Sequence, residues 1–209
     1  MDHAATEQVL AVLEAAFREY GLPDAIRSDN GPPFATRAVA GLSRLSVYLI
    51  KLGIVPERIQ PGHPEQNGRL ERLHRTLKAE TASPPATTRR AQQRAFDRFR
   101  REYNQERPHE ALGQCTPASC YSVAARAYPA RVPEPEYDSS MKVRRVAVRG
   151  QFRWNAHHIF LTESLAGEVV GLQQIDERYY AVYFAHLAIA LFDAHELRTQ
   201  PLPRHKNQL

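Results

Sequence analysis

The stretch AIRSDNGPPF, Ala25–Phe34, decides the fold. Ala25 and Ile26 begin a short apolar strand, and Asn30-Gly31 is the pair that a tight hairpin turn prefers. No return strand follows, because Pro32 and Pro33 lack the N–H groups a β-ladder needs. The chain must leave the sheet edge and come back elsewhere, which is the signature of parallel strands joined by a helix rather than of a hairpin.

The flanking sequence agrees. Val9, Leu10, Val12, Leu13, Ala16, Phe17 and Tyr20 recur at helical spacing over Glu7–Tyr20, and Gly21 and Pro23 stop that helix in the expected order. After the turn, a second helix is expected over Ala38–Leu52, closed by Gly53, and a second strand over Ile54–Ile59. The result is an α/β alternation with a parallel sheet.

Pro61-Gly62-His63-Pro64 breaks the chain, and a helix is expected from Pro64 to Glu80, with proline in its first turn. Leu70, Leu73 and Leu77 form its apolar stripe. Asn67, Glu71, Arg75 (or His74) and Lys78 follow one another on a neighbouring face. A further helix, Arg89–Gln105, sets Phe96, Phe99 and Tyr103 against Arg90, Arg94, Arg98 and Arg101. Between His63 and Arg107 there are eleven Lys/Arg against six acids, so these two helices hold an excess equal to the net charge of +5. Such a concentration suits a polyanionic partner and also suits a plainly solvated face.

Prolines 117, 129, 133 and 135 mark Cys115–Glu136 as a connector. Beyond it, β-type runs from Val143 to Leu191 are split by turn signals at Gly150, Asn155, Gly167 and Asp176–Arg178. About five short strands in a small barrel are expected. Lys142, Arg144, Arg145, Arg149 and Arg153 lie near its start, where DNA contact and solvated strand faces are equally open readings. Cys115 and Cys120 fit neither a disulfide framework nor a zinc pattern. No apolar run is long enough to span a bilayer and no secretory pattern opens the chain, so a cytoplasmic protein without membrane contact is expected.

Asp29 at the carboxyl end of a parallel strand and Glu71 on a helix are the candidate chemical pair. Ligands of open α/β sheets bind at such strand ends. Two converging carboxylates suit Mg²⁺ or Mn²⁺, which favour oxygen ligands and can stabilise both oxygens of an in-line phosphoryl displacement. Each acid also has a plain reading alone, Asp29 as a surface turn and Glu71 as an ion pair with Arg75 one turn on.

SDNGPPF, PGHPEQNGRLERLHRTLKAE and YNQERPHEALGQCTP together resemble three motifs of insertion-sequence transposases in the retroviral-integrase superfamily, in the family's order. The resemblance implies an α/β fold: a partial RNase-H-like core lacking its first strands, followed by helices and a small SH3-like β-barrel. The domains expected are a partial catalytic core over residues 1–114, a linker over 115–136, the barrel over 137–198 and a tail over 199–209. By resemblance, Asp29 and Glu71 are the second and third acids of a DDE triad, binding Mg²⁺ (or Mn²⁺) for DNA transposition by phosphoryl transfer. Asn30, Gly31, Asn67 and Gly68 would lie beside the DNA, and Arg69, Arg72, Arg75 and Lys78 would hold its backbone.

One departure stands out. The family's first acid lies on a strand upstream of the first helix, and neither Asp2 nor Asp24 matches its motif. A truncated copy with an incomplete triad, inactive alone, is therefore expected, with exposed apolar surface on the first helix favouring self-association. Its partners are expected to be element and target DNA and either a homo-oligomer or a full-length transposase. The alternatives are a catalytically inactive fragment that binds DNA or inhibits the transposase, and the carboxyl half of a split enzyme.

Overall fold

The computed structural model describes residues 3–34, 36, 41–60 and 62–202, with the side chains of 3–5 and 64 excepted; Asp2 lies outside them. Compactness divides the chain into two units, one made of the chain up to Arg58 together with Ala125 onward, the other of Ile59–Ala124. Composition placed its boundaries instead at the connector. Each unit is described by itself.

The first unit opens with helix α1 (His3–Tyr20), strand β1 (Ala25–Ser28), helix α2 (Arg44–Lys51) and strand β2 (Val55–Arg58). The two strands pair in parallel, Ala25 opposite Val55 and Ser28 opposite Arg58, as the missing return strand required. Gly21 ends α1 at φ +76°, its N–H donating to the Phe17 carbonyl. Helix α2 starts later than periodicity suggested; residues 38–40 of the expected helix lie outside the described ones. Ser43 is the reason, since its side chain accepts from the Ser46 N–H while Ser46 Oγ accepts from the Ser43 N–H, a reciprocal cap.

Helix α2 is buried on two faces. Leu45 and Leu49, with Leu52 beyond the helix end, join Phe17, Leu22 and Ile54 in one cluster. Val47 and Ile50, with Leu42 before the helix, join the core of the β domain. Arg44 at its start remains exposed, and Tyr48 and Lys51 are half-buried.

The β domain contains β3 (Lys142–Arg145), β4 (Gln151–Trp154), β5 (His157–Phe160), β6 (Val169–Gln174), β7 (Tyr179–Phe184), β8 (Leu187–Asp193) and β9 (Arg198–Gln200). The seven strands exceed the five expected because β3, β4, β5 and β9 are only three or four residues long. Five form an antiparallel sheet in the order β3-β6-β7-β8-β9, and β4-β5 is a separate hairpin. The hairpin closes the barrel, through the Val146–Phe152 bridge on one side and a Thr199 Oγ1 bond to the Phe160 carbonyl on the other. Phe152, Phe184 and Phe192 are fully buried within it.

The connector is more than a spacer. In its second half, Tyr128 and Val132 pack against the α1–α2 cluster, and Arg126 donates to the carbonyls of Pro23, Leu52 and Gly53. This strap covers part of the surface expected to be bare. Val9, Leu10 and Leu13 remain half-buried, and Val12 is 69% exposed.

The second unit is a helical hairpin. A 3-10 turn, Pro64–Asn67, leads into α3 (Gly68–Thr81), and α4 (Arg89–Arg101) continues into a wider turn, Glu102–Glu106. Thr88 caps α4, its side chain accepting from the Ala91 N–H. A short helix α5 (Pro117–Cys120) ends the unit, with Cys115 and Cys120 both free and exposed. No helix among the described residues is long and apolar enough to cross a membrane.

Candidate functional site

Asp29 follows the last residue of β1 and is exposed. Its Oδ1 accepts the Gly31 N–H at 3.1 Å, so Asp29-Asn30-Gly31 is an Asx turn. The Phe34 N–H bonds the Gly31 carbonyl, and Phe34 packs into the α1–α2 cluster with its carbonyl accepting from Ser43 Oγ. The two prolines thus carry the chain off the strand and back toward α2, and among the described residues the second carboxylate oxygen of Asp29 has no hydrogen-bond partner.

In the other unit, Glu71 stands in the first turn of α3, exposed, in a run with Arg69, Arg72, Arg75 and Lys78, all likewise exposed. Among the described residues its carboxylate has neither a hydrogen-bond nor an ion-pair partner. The ion pair with Arg75, which its spacing allows, does not form. Asn67 and Gly68 are half-buried at the start of the helix. Negative charge in a first turn is favoured by the helix dipole, so Glu71 is tolerated there without a partner.

The side chains that fix α3 were not singled out from sequence. Gln66 Oε1 accepts the Gln60 N–H at 3.0 Å before the helix. At its far end Gln92 of α4 donates to the Thr81 carbonyl and accepts from the Ala86 N–H, both at 2.8 Å, pinning the connecting loop. Arg107 reaches back to Glu80 at 2.8 Å while lying over the rings of Phe99 and Tyr103. His109 meets Tyr103 edge-on, 4.6 Å between centroids. Tyr103, Arg107 and His109 all belong to the YNQERPHEAL stretch, so motif membership was the available signal. Leu73, Leu77, Phe96, Phe99 and Tyr103 line an apolar groove between α3 and α4.

The structure therefore brings Asp29, Asn30 and Gly31 together in one turn, and in a different unit sets Asn67, Gly68 and Arg69 at the start of α3 and Glu71, Arg75 and Lys78 along one face of it, with Arg72 about 100° round the helix. Among the described residues no three His, Cys, Asp or Glu side chains cluster as a metal cage. The donor chemistry of Asp29 and Glu71 nonetheless fits a hard divalent ion, each offering an exposed carboxylate oxygen that no group among the described residues occupies.

The barrel's cations are differently placed. Lys142 Nζ lies 5.0 Å from the centroids of both Trp154 and Tyr180. Arg144 donates to the Arg153 carbonyl, Arg145 to that of Gly167 and Arg153 to that of Asn155. These groups are engaged within the domain.

Residues 52–117 match the family model described as integrase core domain, a span that includes Glu71 and the YNQERPHEAL stretch and excludes Asp29. The chain is similar to an uncharacterised 31.7 kDa protein of insertion element IS407 from Burkholderia multivorans, 32% identical over 120 residues, 56% of this chain and 41% of that protein. It is also similar to a 39.2 kDa protein of insertion element IS476 from Xanthomonas euvesicatoria, 35% identical over 111 residues, 53% of this chain and 30% of that one. A chain of the simian T-cell lymphotropic virus intasome in complex with PP2A regulatory subunit B56 gamma aligns at TM-score 0.43 and 18% identity, covering 95% of this chain and 66% of that one. The chain thus spans well under half the length of both insertion-element relatives.

Proposed function

We infer, from the premise that this chain is a member of the integrase/transposase superfamily, that it serves DNA transposition, with Asp29 and Glu71 as two acids of a divalent-metal site for phosphoryl transfer. The observation that carries this is Glu71. An acid one helical turn from an arginine, inside the integrase-core span, is exposed and has no partner among the described residues, as suits a metal ligand before its ion arrives. Mg²⁺ or Mn²⁺ held there would polarise the scissile phosphate and offset the charge of attacking and leaving oxygens. The side chains of Arg69, Arg72, Arg75 and Lys78 hold the DNA backbone in register, contacts that position without reading sequence. Asn67 and Gly68 open α3 beside the phosphate, and the Asn30-Gly31 turn keeps Asp29 uncrowded.

In this reading Asp29 and Glu71 share ions with a third acid that a full-length transposase would supply in a mixed complex. The chain alone binds DNA and does not cut it. The test is a labelled element end with purified protein and Mg²⁺ or Mn²⁺, without and with full-length transposase. Metal-dependent 3′-end cleavage above that of the full-length enzyme alone, lost with Glu71→Gln or Asp29→Asn, supports the metal site. Binding with inhibition of the full-length enzyme, unchanged by either substitution, replaces it with a purely DNA-binding role.

A further inference from the structure

We propose that the arginine stripe of α4 is a second phosphate-binding track, separate from the α3 residues; the proposal rests on the DNA reading above and extends it. Arg90, Arg94, Arg98 and Arg101 are all exposed. At about 100° per residue they fall within roughly 80° of arc, opposite Phe96, Phe99 and Tyr103. Helix α4 holds six arginines and one acid, an excess equal to the net charge of the whole protein.

The single acid does not neutralise the stripe. Asp97 accepts from Gln93 at 3.0 Å, and Arg101 approaches Glu106 only at 4.0 Å. Among the described residues the side chains of Arg90, Arg94 and Arg98 have no hydrogen-bond, ion-pair or ring partner. Their spacing makes matters worse, since Arg90–Arg94 and Arg94–Arg98 are like-charge neighbours at i,i+4, each destabilising the helix by a few tenths of a kcal/mol. The contrast with the barrel is direct, because Arg144, Arg145 and Arg153 each donate to a carbonyl within it.

Unneutralised like charges in a row carry a cost that an external polyanion removes. The stripe extends about 16 Å along the helix axis, eleven residues at about 1.5 Å each. That length matches about five phosphates of one strand at about 3.4 Å per base pair. The guanidinium is also the group best shaped for phosphate oxygens. A self-association surface would instead bring these arginines onto their own copies, which like charge opposes.

The test compares the wild-type chain with Arg90→Gln/Arg94→Gln/Arg98→Gln and with the corresponding triple lysine variant, titrating a duplex DNA at several salt concentrations. The glutamine variant is expected to bind roughly 10²-fold more weakly at 0.1 M salt, with a slope of log affinity against log salt shallower by about 2 to 3. The lysine variant is expected to keep the slope, and thermal stability is expected to hold in both. A slope unchanged in the glutamine variant overturns the track while leaving the DNA reading intact. Substitutions that shift the sedimentation of the free protein and leave the slope make the stripe a contact between copies and also overturn it. Stripe-dependent binding without metal-dependent cleavage in any mixture upholds the track and removes the catalytic reading, and a wild-type chain that does not bind DNA removes both.

Discussion

Arg107 Nη2 lies 2.8 Å from Glu80 Oε2, tying the turn after α4 to the last full turn of α3. The same guanidinium lies 5.6 Å from the Tyr103 centroid and 5.9 Å from that of Phe99. Glu80 is nine residues beyond Glu71, so the pair holds the far end of a rod whose near end carries the candidate ligand. Helix α3 needs such a hold, because Thr81 is its one buried residue.

Arg107→Ala is expected to destabilise the hairpin by about 1–1.5 kcal/mol, a half-exposed ion pair plus the ring contacts. Arg107→Lys restores charge without the flat stacking surface and is expected to recover about half of that. Amide exchange across α3 measures both. Protection in α3 that is equal in all three proteins would refute the clamp.

Asp193 is buried, and Arg178 grips it with bonds of 2.6 to 3.0 Å while the His195 and Glu196 N–H groups add two more. Arg178 first, then those backbone donors, hold its carboxyl well below the usual carboxylate range, against the opposing effect of burial. With a folded-state pKa depressed below the unfolded value of about 3.9, its stabilisation is complete above that value and lost as pH falls beneath it. Asp193→Asn is therefore expected to lower the barrel's Tm at pH 7 and to narrow the gap toward pH 3. The single tryptophan, Trp154, lies in the barrel core and supplies the fluorescence signal.

The strap makes its own prediction. Tyr128 packs at a tilt against Phe17, 6.2 Å between centroids, and its hydroxyl meets that of Tyr48 at 2.8 Å. Tyr48 also reaches Glu14, and burial, then the Tyr128 bond, push its ionisation far above the ordinary range. Tyr128→Phe is expected to cost about 1 kcal/mol, because Tyr48 keeps Glu14. Tyr128→Ala, which also uncovers Phe17, is expected to cost about 2 kcal/mol or more. Denaturant titration of the two variants distinguishes hydroxyl from ring.

Helix α2 predicts coupling between regions far apart in the chain. Ile50 belongs to the barrel's core although it precedes the barrel by some ninety residues. Ile50→Ala is expected to cost about 2–4 kcal/mol and to lower the Trp154 transition along with the rest of the first unit. A Trp154 transition that stays at its wild-type midpoint would show the barrel to be independent.

Much of this was legible before any coordinates. Periodicity placed α1, α3 and α4, since an apolar stripe at 3.6-residue spacing is a local property. The proline pair after Gly31 excluded a hairpin. Helix α2 was drawn too long because Ser43 and Ser46 cap each other, and a cap between two serines outweighed apolar spacing. The barrel strands were undercounted because three- and four-residue strands barely establish a period. Asp29 and Glu71 are candidates by residue type and motif, whereas the lack of a partner for Glu71 among the described residues needed rotamers.

The amino-acid sequence by itself determined the kinds of element, their order, the concentration of arginines in two helices and the motifs that resemble the superfamily's, since each depends on residues within a few turns of one another. Tertiary structure alone decided that α2 serves two cores, that the connector becomes a strap, and which cations are spent. Lys51 finds Glu168 117 residues away, and Ser164 finds the Leu42 carbonyl across 122. Such partners are chosen by the packing of whole elements, and no local pattern encodes them.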